Sequence, residues 1–405
     1  MAVNLPPLPV LHPVQGVRLG TARAHIRKPD RRDLVVIECA SGTQVAAVFT
    51  KNKFCAAPIS VAREHLANAA PRALLINTGY ANAGTGTEGL EAARRSCEAL
   101  AQILGCSAQN ILPFSTGVIG EQLPVDRLVA GLPNCLRTLS DEGWAEAAHG
   151  IMTTDTMPKG SSRRVVIHGK SVTVSGIAKG AGMICPNMAT LLAFIATDAA
   201  VPQAILQRCL RTAADESFNR ISVDGDTSTN DACILLATGK SDVEIQSTEG
   251  EAYHLFYETV RDILAELAQF IVRDAEGATK FITIDVVRGA SQADCLEVAY
   301  TIAHSPLVKT AFFASDPNWG RILAAIGRAR VSQLPVDKIS IYLDDVCIVR
   351  DGARAVEYSE ALGQAVMAKS EIRMRVDIGV GNQSARLWTC DLSHEYVTIN
   401  AEYRT

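Results

Sequence analysis

The sequence predicts an α/β (α+β) protein of layered β-sheets flanked by helices. Three observations carry this: short apolar runs bounded by Gly, Asp or Asn, longer stretches with an apolar face at helical spacing, and the interleaving of the two. Strands are expected at Leu34–Cys39, Ala73–Asn77, Arg164–His168, Cys233–Thr238, Phe281–Val287 and Ile339–Leu343. Leu90, Ala93, Cys97, Leu100, Ala101 and Leu104 share one helical face, as do Phe256, Val260, Ile263, Leu264, Leu267 and Ile271. Ser291 reads as the N-cap of a helix running towards Ser305 and stopped by Pro306. The stretch Arg373 to Arg404 reads as β-rich, and the polar stretches Asp155–Arg163 and Ser241–Glu251 read as surface loops that could mark a boundary.

At 405 residues the chain has room for two or three packed units. With 48% hydrophobic and 20% charged residues and a formal net charge of -4, the composition is that of a soluble globular protein. No basic field exists to attract phosphate backbones, so nucleic acid is not an expected partner. Residues Met1–Val14 lack a basic n-region and carry Pro6, Pro7, Pro9 and Pro13, which argues against a targeting peptide and for a cytoplasmic location. No apolar run approaches the roughly 20 residues that cross a bilayer, so no membrane partner is expected. The eleven cysteines, at 39, 55, 97, 106, 135, 185, 209, 233, 295, 347 and 390, form no CxxC pair. They read as small buried residues in a reducing compartment, with neither a disulfide framework nor a metal site.

The most unusual segment runs from Lys179-Gly180-Ala181-Gly182 through Met183-Ile184-Cys185-Pro186-Asn187-Met188 to Ala189-Thr190, before the apolar run Leu191–Ala196. Gly180 and Gly182 allow close backbone approach, Pro186-Asn187 signals a turn, and Thr190 follows it at the mouth of a buried strand. A threonine held there can attack the preceding carbonyl, and hydrolysis of the resulting ester frees an N-terminus at Thr190. A hydroxyl is a poor nucleophile alone, but the freed α-amino group, with pKa about 8, is an adjacent base. The competing reading is an ordinary β-branched residue filling a pleated surface.

The segment resembles the cleavage signature KGxGMIxPNMAT of the glutamate N-acetyltransferase/ornithine acetyltransferase family. Further similar blocks cover nearly the whole chain: His12–Leu34, Ala73–Gly86, Ile111–Glu121, Ile151–Lys159, Val223–Asp231, Glu276–Lys280, Asp316–Ile322 and Asn400–Thr405. Ala181 stands where the family commonly has Ser, and Tyr80 where it commonly has Asn; neither removes a group the chemistry needs. The resemblance implies cleavage between Ala189 and Thr190, Thr190 as nucleophile, and an oxyanion hole at Thr116 and Gly117. It assigns substrate binding to Thr153, Lys179, Thr190, Glu276, Asn400 and Thr405, with Thr154 adjacent to Thr153. It further implies a sandwich of β-sheets flanked by helices, fragments 1–189 and 190–405 with two copies of each, and N-acetylornithine and glutamate as substrates.

The residues alone are compatible with those roles. Ser115-Thr116-Gly117 reads as a loop after a short strand whose N–H and hydroxyl groups could receive negative charge on an acyl oxygen. An N-acetylated diamino acid presents a carboxylate and a distal cation, for which Lys179 and Glu276 are the candidates, although lone charges are more often solvated surface residues. A largely polar six-residue chain end would ordinarily be frayed; the resemblance implies that it folds over substrate. The transfer needs no cofactor and leaves acetyl-CoA open as a second acetyl donor.

Other patterns fail. Gly84-Thr85-Gly86-Thr87-Glu88-Gly89 spells GxGxxG, but too far from Asn77 for the tight strand-to-helix turn of a nucleotide fold. The acidic loop Asp224–Asp231 lacks the glutamate of a calcium loop and reads as a hydrogen-bonded turn. Asp316-Pro317-Asn318-Trp319 reads as a capped helix start with a buried Trp. The eight histidines show no paired spacing for a metal or a Ser/His dyad. Two rivals stay open at this level: a self-processing aminopeptidase or amidase with water as acceptor, and an uncut amino-acid-binding protein.

Overall fold

A computed structural model describes residues 2–185 and 191–402 of the chain. Two sheets lie at its centre. A four-stranded sheet orders Val17–Ala22, Leu34–Cys39, Ala73–Tyr80 and Ile111–Val118; a five-stranded sheet orders Gln44–Phe49, Ala232–Ala237, Leu192–Thr197, Lys170–Lys179 and Lys159–Ile167. Their facing sides share one core, in which Val35, Ile37, Leu74, Ile76 and Phe114 meet Ile177, Leu192, Phe194, Ile234 and Leu236. Phe114 and Phe194 meet edge to face with centroids 5.2 Å apart, a favourable aromatic geometry.

Because successive strand residues alternate faces, the other side of each sheet is also apolar and needs its own cover. Val172, Val174, Ile195, Cys233 and Leu235 pack beneath the helices Gln203–Glu216 and Glu251–Arg273. Leu34, Val36, Leu75 and Ile111 pack beneath Gly86–Leu104 and Val125–Arg137. The result is a four-layer sandwich, helix, sheet, sheet, helix. A third sheet of seven strands, in the order Ala353–Arg354, Val346–Arg350, Ser340–Leu343, Glu371–Asp377, Phe281–Gly289, Gln383–Cys390 and Ile221–Ser222, builds a second core with the helices Gln292–Ala303 and Trp319–Gly327.

The layered α/β expectation holds, with local corrections. Lys159–Arg163 is not loop but the start of the edge strand Lys159–Ile167, and Asp155 and Lys159 are buried. Ser115, Thr116 and Gly117 lie within the strand Ile111–Val118 and not in a loop after it. Ser291 caps its helix as expected, accepting from Asp294 N, but Pro306 opens the next helix, Pro306–Phe313, at the position where its missing N–H costs nothing. The stretch after Cys390 is the helix His394–Ala401, so the end of the chain is not β-rich throughout. Asn318 caps Trp319–Gly327, although Trp319 is only half-buried. All eleven cysteines are free. Among the described residues no helix is long and apolar enough to cross a membrane.

Candidate active site

Both central sheets deliver residues to one cavity of about 260 Å³. The four-stranded sheet brings Thr116 and Gly117, from the strand paired in parallel with Ala73–Tyr80. The five-stranded sheet brings Lys179, at the end of Lys170–Lys179, where it pairs with Leu192. Leu192 in turn pairs with Ala232, and Asp231 lies just before it. Thr153, Thr154, Glu276 and Asn400 complete the wall from three further segments. All the expected site residues that are described therefore meet in one place. Thr190, Ala189 and Thr405 lie outside the described residues; Ile184 on one side of the expected cleavage segment and Leu191 and Leu192 on the other line the cavity.

Gly117 fits its place only as glycine. Its φ is +136°, and a Cβ would lie 2.2 Å from Gly79 C and 2.6 Å from Tyr80 N, at a bulge where both Thr116 and Val118 register with Tyr80. Thr116 Oγ1 accepts from Lys179 Nζ at 3.0 Å, and Thr153 Oγ1 accepts from the same ammonium at 2.8 Å. A hydroxyl that accepts from Lys179 keeps its own O–H available as a donor. Burial pushes the Lys179 ammonium below its ordinary range, and Lys159 adds to this; Asp155, Asp231 and Glu276 pull the other way.

Glu276 follows the helix Glu251–Arg273 in a turn whose backbone is fixed by Glu276 N donating to Ala181 O at 3.0 Å. Its buried carboxylate accepts from Asn400 Nδ2 at 2.8 Å, and a Cβ on Gly182 would stand 2.4 Å from its Oε2. Gly182 thus leaves room for the acid. The acidic loop is a hydrogen-bonded turn as expected: Asp224 accepts from Met183 N at 2.6 Å and Ile184 N at 2.9 Å, holding the residues that lead into the expected cleavage segment. Among the described residues no group of three or more His, Cys, Asp or Glu is placed to hold a metal ion.

Several buried polar residues around the cavity were not apparent from sequence. Lys159 Nζ donates to Asp155 Oδ1 at 2.7 Å and Asp274 Oδ2 at 2.6 Å, with all three side chains essentially inaccessible. Asp155 also accepts from Gly180 N at 2.7 Å and Thr153 N at 3.0 Å. Asn230 Nδ2 donates to Ala81 O at 2.6 Å and Ser115 O at 2.9 Å, tying the acidic loop to the strand of Thr116. Asp231 is buried in the cavity wall, and desolvation raises its carboxyl well above the usual range despite a hydrogen bond from Ser228 and the Lys179 charge. The spacing of Asp155 and Lys159 was visible, but polarity alone does not tell a buried ion pair from a solvated loop.

Comparison with known proteins shows the family to which the chain belongs. Two curated relatives named arginine biosynthesis bifunctional protein ArgJ are closely similar. That of Pseudomonas syringae pv. tomato is 57% identical over 406 residues, covering 100% of both chains. That of Methylococcus capsulatus is 58% identical over 395 residues, covering 98% of this chain and 97% of its own. A crystal structure of arginine biosynthesis bifunctional protein ArgJ from Bacillus halodurans is 36% identical, with a TM-score of 0.48, and spans 50% of this chain and 95% of that one. A profile described as the ArgJ family matches residues 18–405, which include every expected site residue. On that match and on full-length identities above one half, the chain belongs to the ArgJ family.

Proposed function

We infer that this chain is a glutamate N-acetyltransferase of the ornithine acetyltransferase type, moving acetyl from N2-acetyl-L-ornithine to L-glutamate in arginine biosynthesis. The observation that carries the reading is a single cavity that gathers Thr116, Gly117, Thr153, Lys179, Glu276 and Asn400 beside Leu191 and Leu192, the residues that follow Thr190 in the chain. Opposite charges at Lys179 and Glu276 suit the carboxylate and distal ammonium of an ornithine derivative.

In this mechanism Thr190 Oγ first attacks the Ala189 carbonyl, the acyl group shifts from nitrogen to oxygen, and water hydrolyses the ester. The freed α-amine of Thr190 then takes the hydroxyl proton as Oγ attacks the acetyl carbonyl of N-acetylornithine. Negative charge on the acetyl oxygen is received by Thr116 and Gly117. The C–N bond breaks, the proton passes to the leaving amine, and ornithine departs from an acetyl-threonine ester. Glutamate's amine attacks that ester, giving N-acetylglutamate and free Thr190. No cofactor enters these steps; acetyl-CoA and glutamate supplied together test whether a thioester can load Thr190 as a second donor. The fragments 1–189 and 190–405 assemble as two copies of each.

Denaturing electrophoresis with N-terminal sequencing tests the cut: two bands of similar size are expected, one beginning Thr-Leu-Leu, and a single uncut band from active protein would exclude the mechanism. Transfer is separated from hydrolysis by omitting glutamate. Acetate release from N-acetylornithine at the same rate with and without glutamate would show an amidase instead. Thr190→Ala abolishes both cutting and transfer.

A further inference from the structure

Behind the cavity wall lies a buried charged cluster with no direct part in the chemistry above. Asp155, Lys159 and Asp274 sit together with side-chain exposures of 0–1%. Isolating charges from water is costly, and a buried pair repays that cost only with close geometry and further hydrogen bonds. Those bonds are present. Asp274 accepts from the backbone N–H groups of Thr156 at 2.9 Å and Met157 at 3.2 Å, and from the Thr156 hydroxyl. Asp155 accepts from Lys159, Gly180 N and Thr153 N.

The partners of Asp155 are unusual in what they join. Thr153 supplies the hydroxyl that receives Lys179, and Gly180 is the next residue in the chain after Lys179. One oxygen, Oδ1, bonds the segment bearing Lys179; the other, Oδ2, bonds the segment bearing Thr153. Arg31 completes the grip from the far side, donating to Met152 O at 2.6 Å and Thr153 O at 2.7 Å.

We propose that Asp155 is a positioning residue for substrate binding: its carboxylate fixes Lys179 and Thr153 against one another and places a negative charge beside the Lys179 ammonium. The cluster carries two acids and one base, so it presents net negative charge to Lys179. The groups facing Lys179 are Asp155, Lys159, Asp231 and Glu276. Burial would raise the Asp155 carboxyl, but Lys159 and Lys179 outweigh it and hold Asp155 well below the usual carboxylate range, ionised whenever the enzyme works. Lys159 is then the counter-ion that makes a buried carboxylate tolerable here, and Asp274 balances Lys159.

The inference rests on the acetyl-transfer reading, so wild-type transfer from N-acetylornithine to glutamate is measured in parallel; failure of that control counts against the reading and not against Asp155. In Asp155→Asn the KM for N-acetylornithine is expected to rise about tenfold, the effect of losing about one well-made hydrogen bond that holds Lys179 and Thr153 in place. The value of kcat should stay within about threefold, because no group at the acyl carbon is removed. The alkaline rise in KM should also begin at lower pH than in the wild type. The double variant Asp155→Asn/Lys159→Gln leaves the cluster with the same net charge as the wild type, so it guards against misfolding of the single variant. It still lacks the carboxylate at Gly180 and Thr153, and the KM defect should persist. A loss confined to kcat, a wild-type KM and pH profile in either folded variant, or failure of both variants to fold would overturn the proposal.

Discussion

Lys179 Nζ donates to Thr116 Oγ1 at 3.0 Å and so joins the two central sheets at the cavity. The same ammonium reaches Thr153 Oγ1 at 2.8 Å. A single cation thus orients two hydroxyls, that of Thr116 beside Gly117 and that of Thr153. Lys179→Met keeps the length of the side chain but leaves both hydroxyls without that donor. Hydrogen bonds to a charged group contribute about 1.5–3 kcal/mol, so KM for N-acetylornithine should rise roughly 10- to 100-fold. Lys179→Arg should not restore it, because a longer side chain ending in a bulky planar fork does not fit the place of a compact ammonium. Steady-state kinetics on the three proteins decides this, and full rescue by Arg would show that only charge matters.

Gly117→Ala tests the oxyanion assignment by shape. The added Cβ would stand 2.2 Å from Gly79 C and 2.5 Å from Gly79 O, and backbone cannot yield as a flexible side-chain tip can. The strand must shift, carrying Thr116 with it. Displacing an oxyanion donor costs about 10²- to 10³-fold in kcat, with little change in ornithine affinity if Lys179 and Glu276 stay in place. Single-turnover acetylation of Thr190, followed by mass spectrometry, measures the step directly. An unaltered acetylation rate would remove Gly117 from the oxyanion hole.

How much of this was legible in the sequence differs from residue to residue. Leu34–Cys39 is a strand over the whole of its apolar run, because both its faces are covered and every position but Glu38 is buried. Ser291 was readable as a cap because its hydroxyl bonds within its own turn. The errors arose where a residue's partner is distant in sequence. Lys159 looks like part of a solvated loop until Asp274, 115 positions away, closes on it. Thr116 looks like a turn residue until its parallel neighbour Thr78 places it in a strand. Pro306 ends one helix pattern, and only Ser305 accepting from Val308 N shows that it also begins another. Asp231 carried no local signal at all, since its importance comes from burial beside Lys179.

Asp231 gives the fold a pH dependence with a definite sign. Its folded carboxyl titrates well above the ordinary value because burial disfavours the charged form. The unfolded chain titrates near 3.9, so the folded state holds the extra proton between the two values. The stabilising contribution is therefore complete at acid pH and declines as pH rises towards the folded value. Asp231→Asn has the same shape and no proton to lose. Its melting temperature relative to wild type should climb as the pH rises above about 4. Calorimetry across that range checks the slope, and a difference that does not vary with pH would mean that Asp231 is not the group responsible.

Glu276 and Gly182 test specificity for the distal cation. The Glu276 carboxylate is buried, accepts from Asn400 Nδ2 and faces Gly182. Glu276→Gln preserves size and removes charge, so it should weaken N-acetylornithine by roughly 10- to 100-fold, the loss expected of a charged hydrogen bond. An acetylated amino acid with an uncharged side chain should be hardly affected, because it never used the carboxylate. Gly182→Ala acts on the same discrimination without touching the charge: the new methyl would occupy the place of the carboxylate and turn it away from the ammonium. The ratio of kcat/KM values for the two substrates should thus fall in both variants, while the rate from saturating N-acetylornithine changes less. Equal losses on both substrates would move Glu276 from ammonium recognition to general support of the cavity.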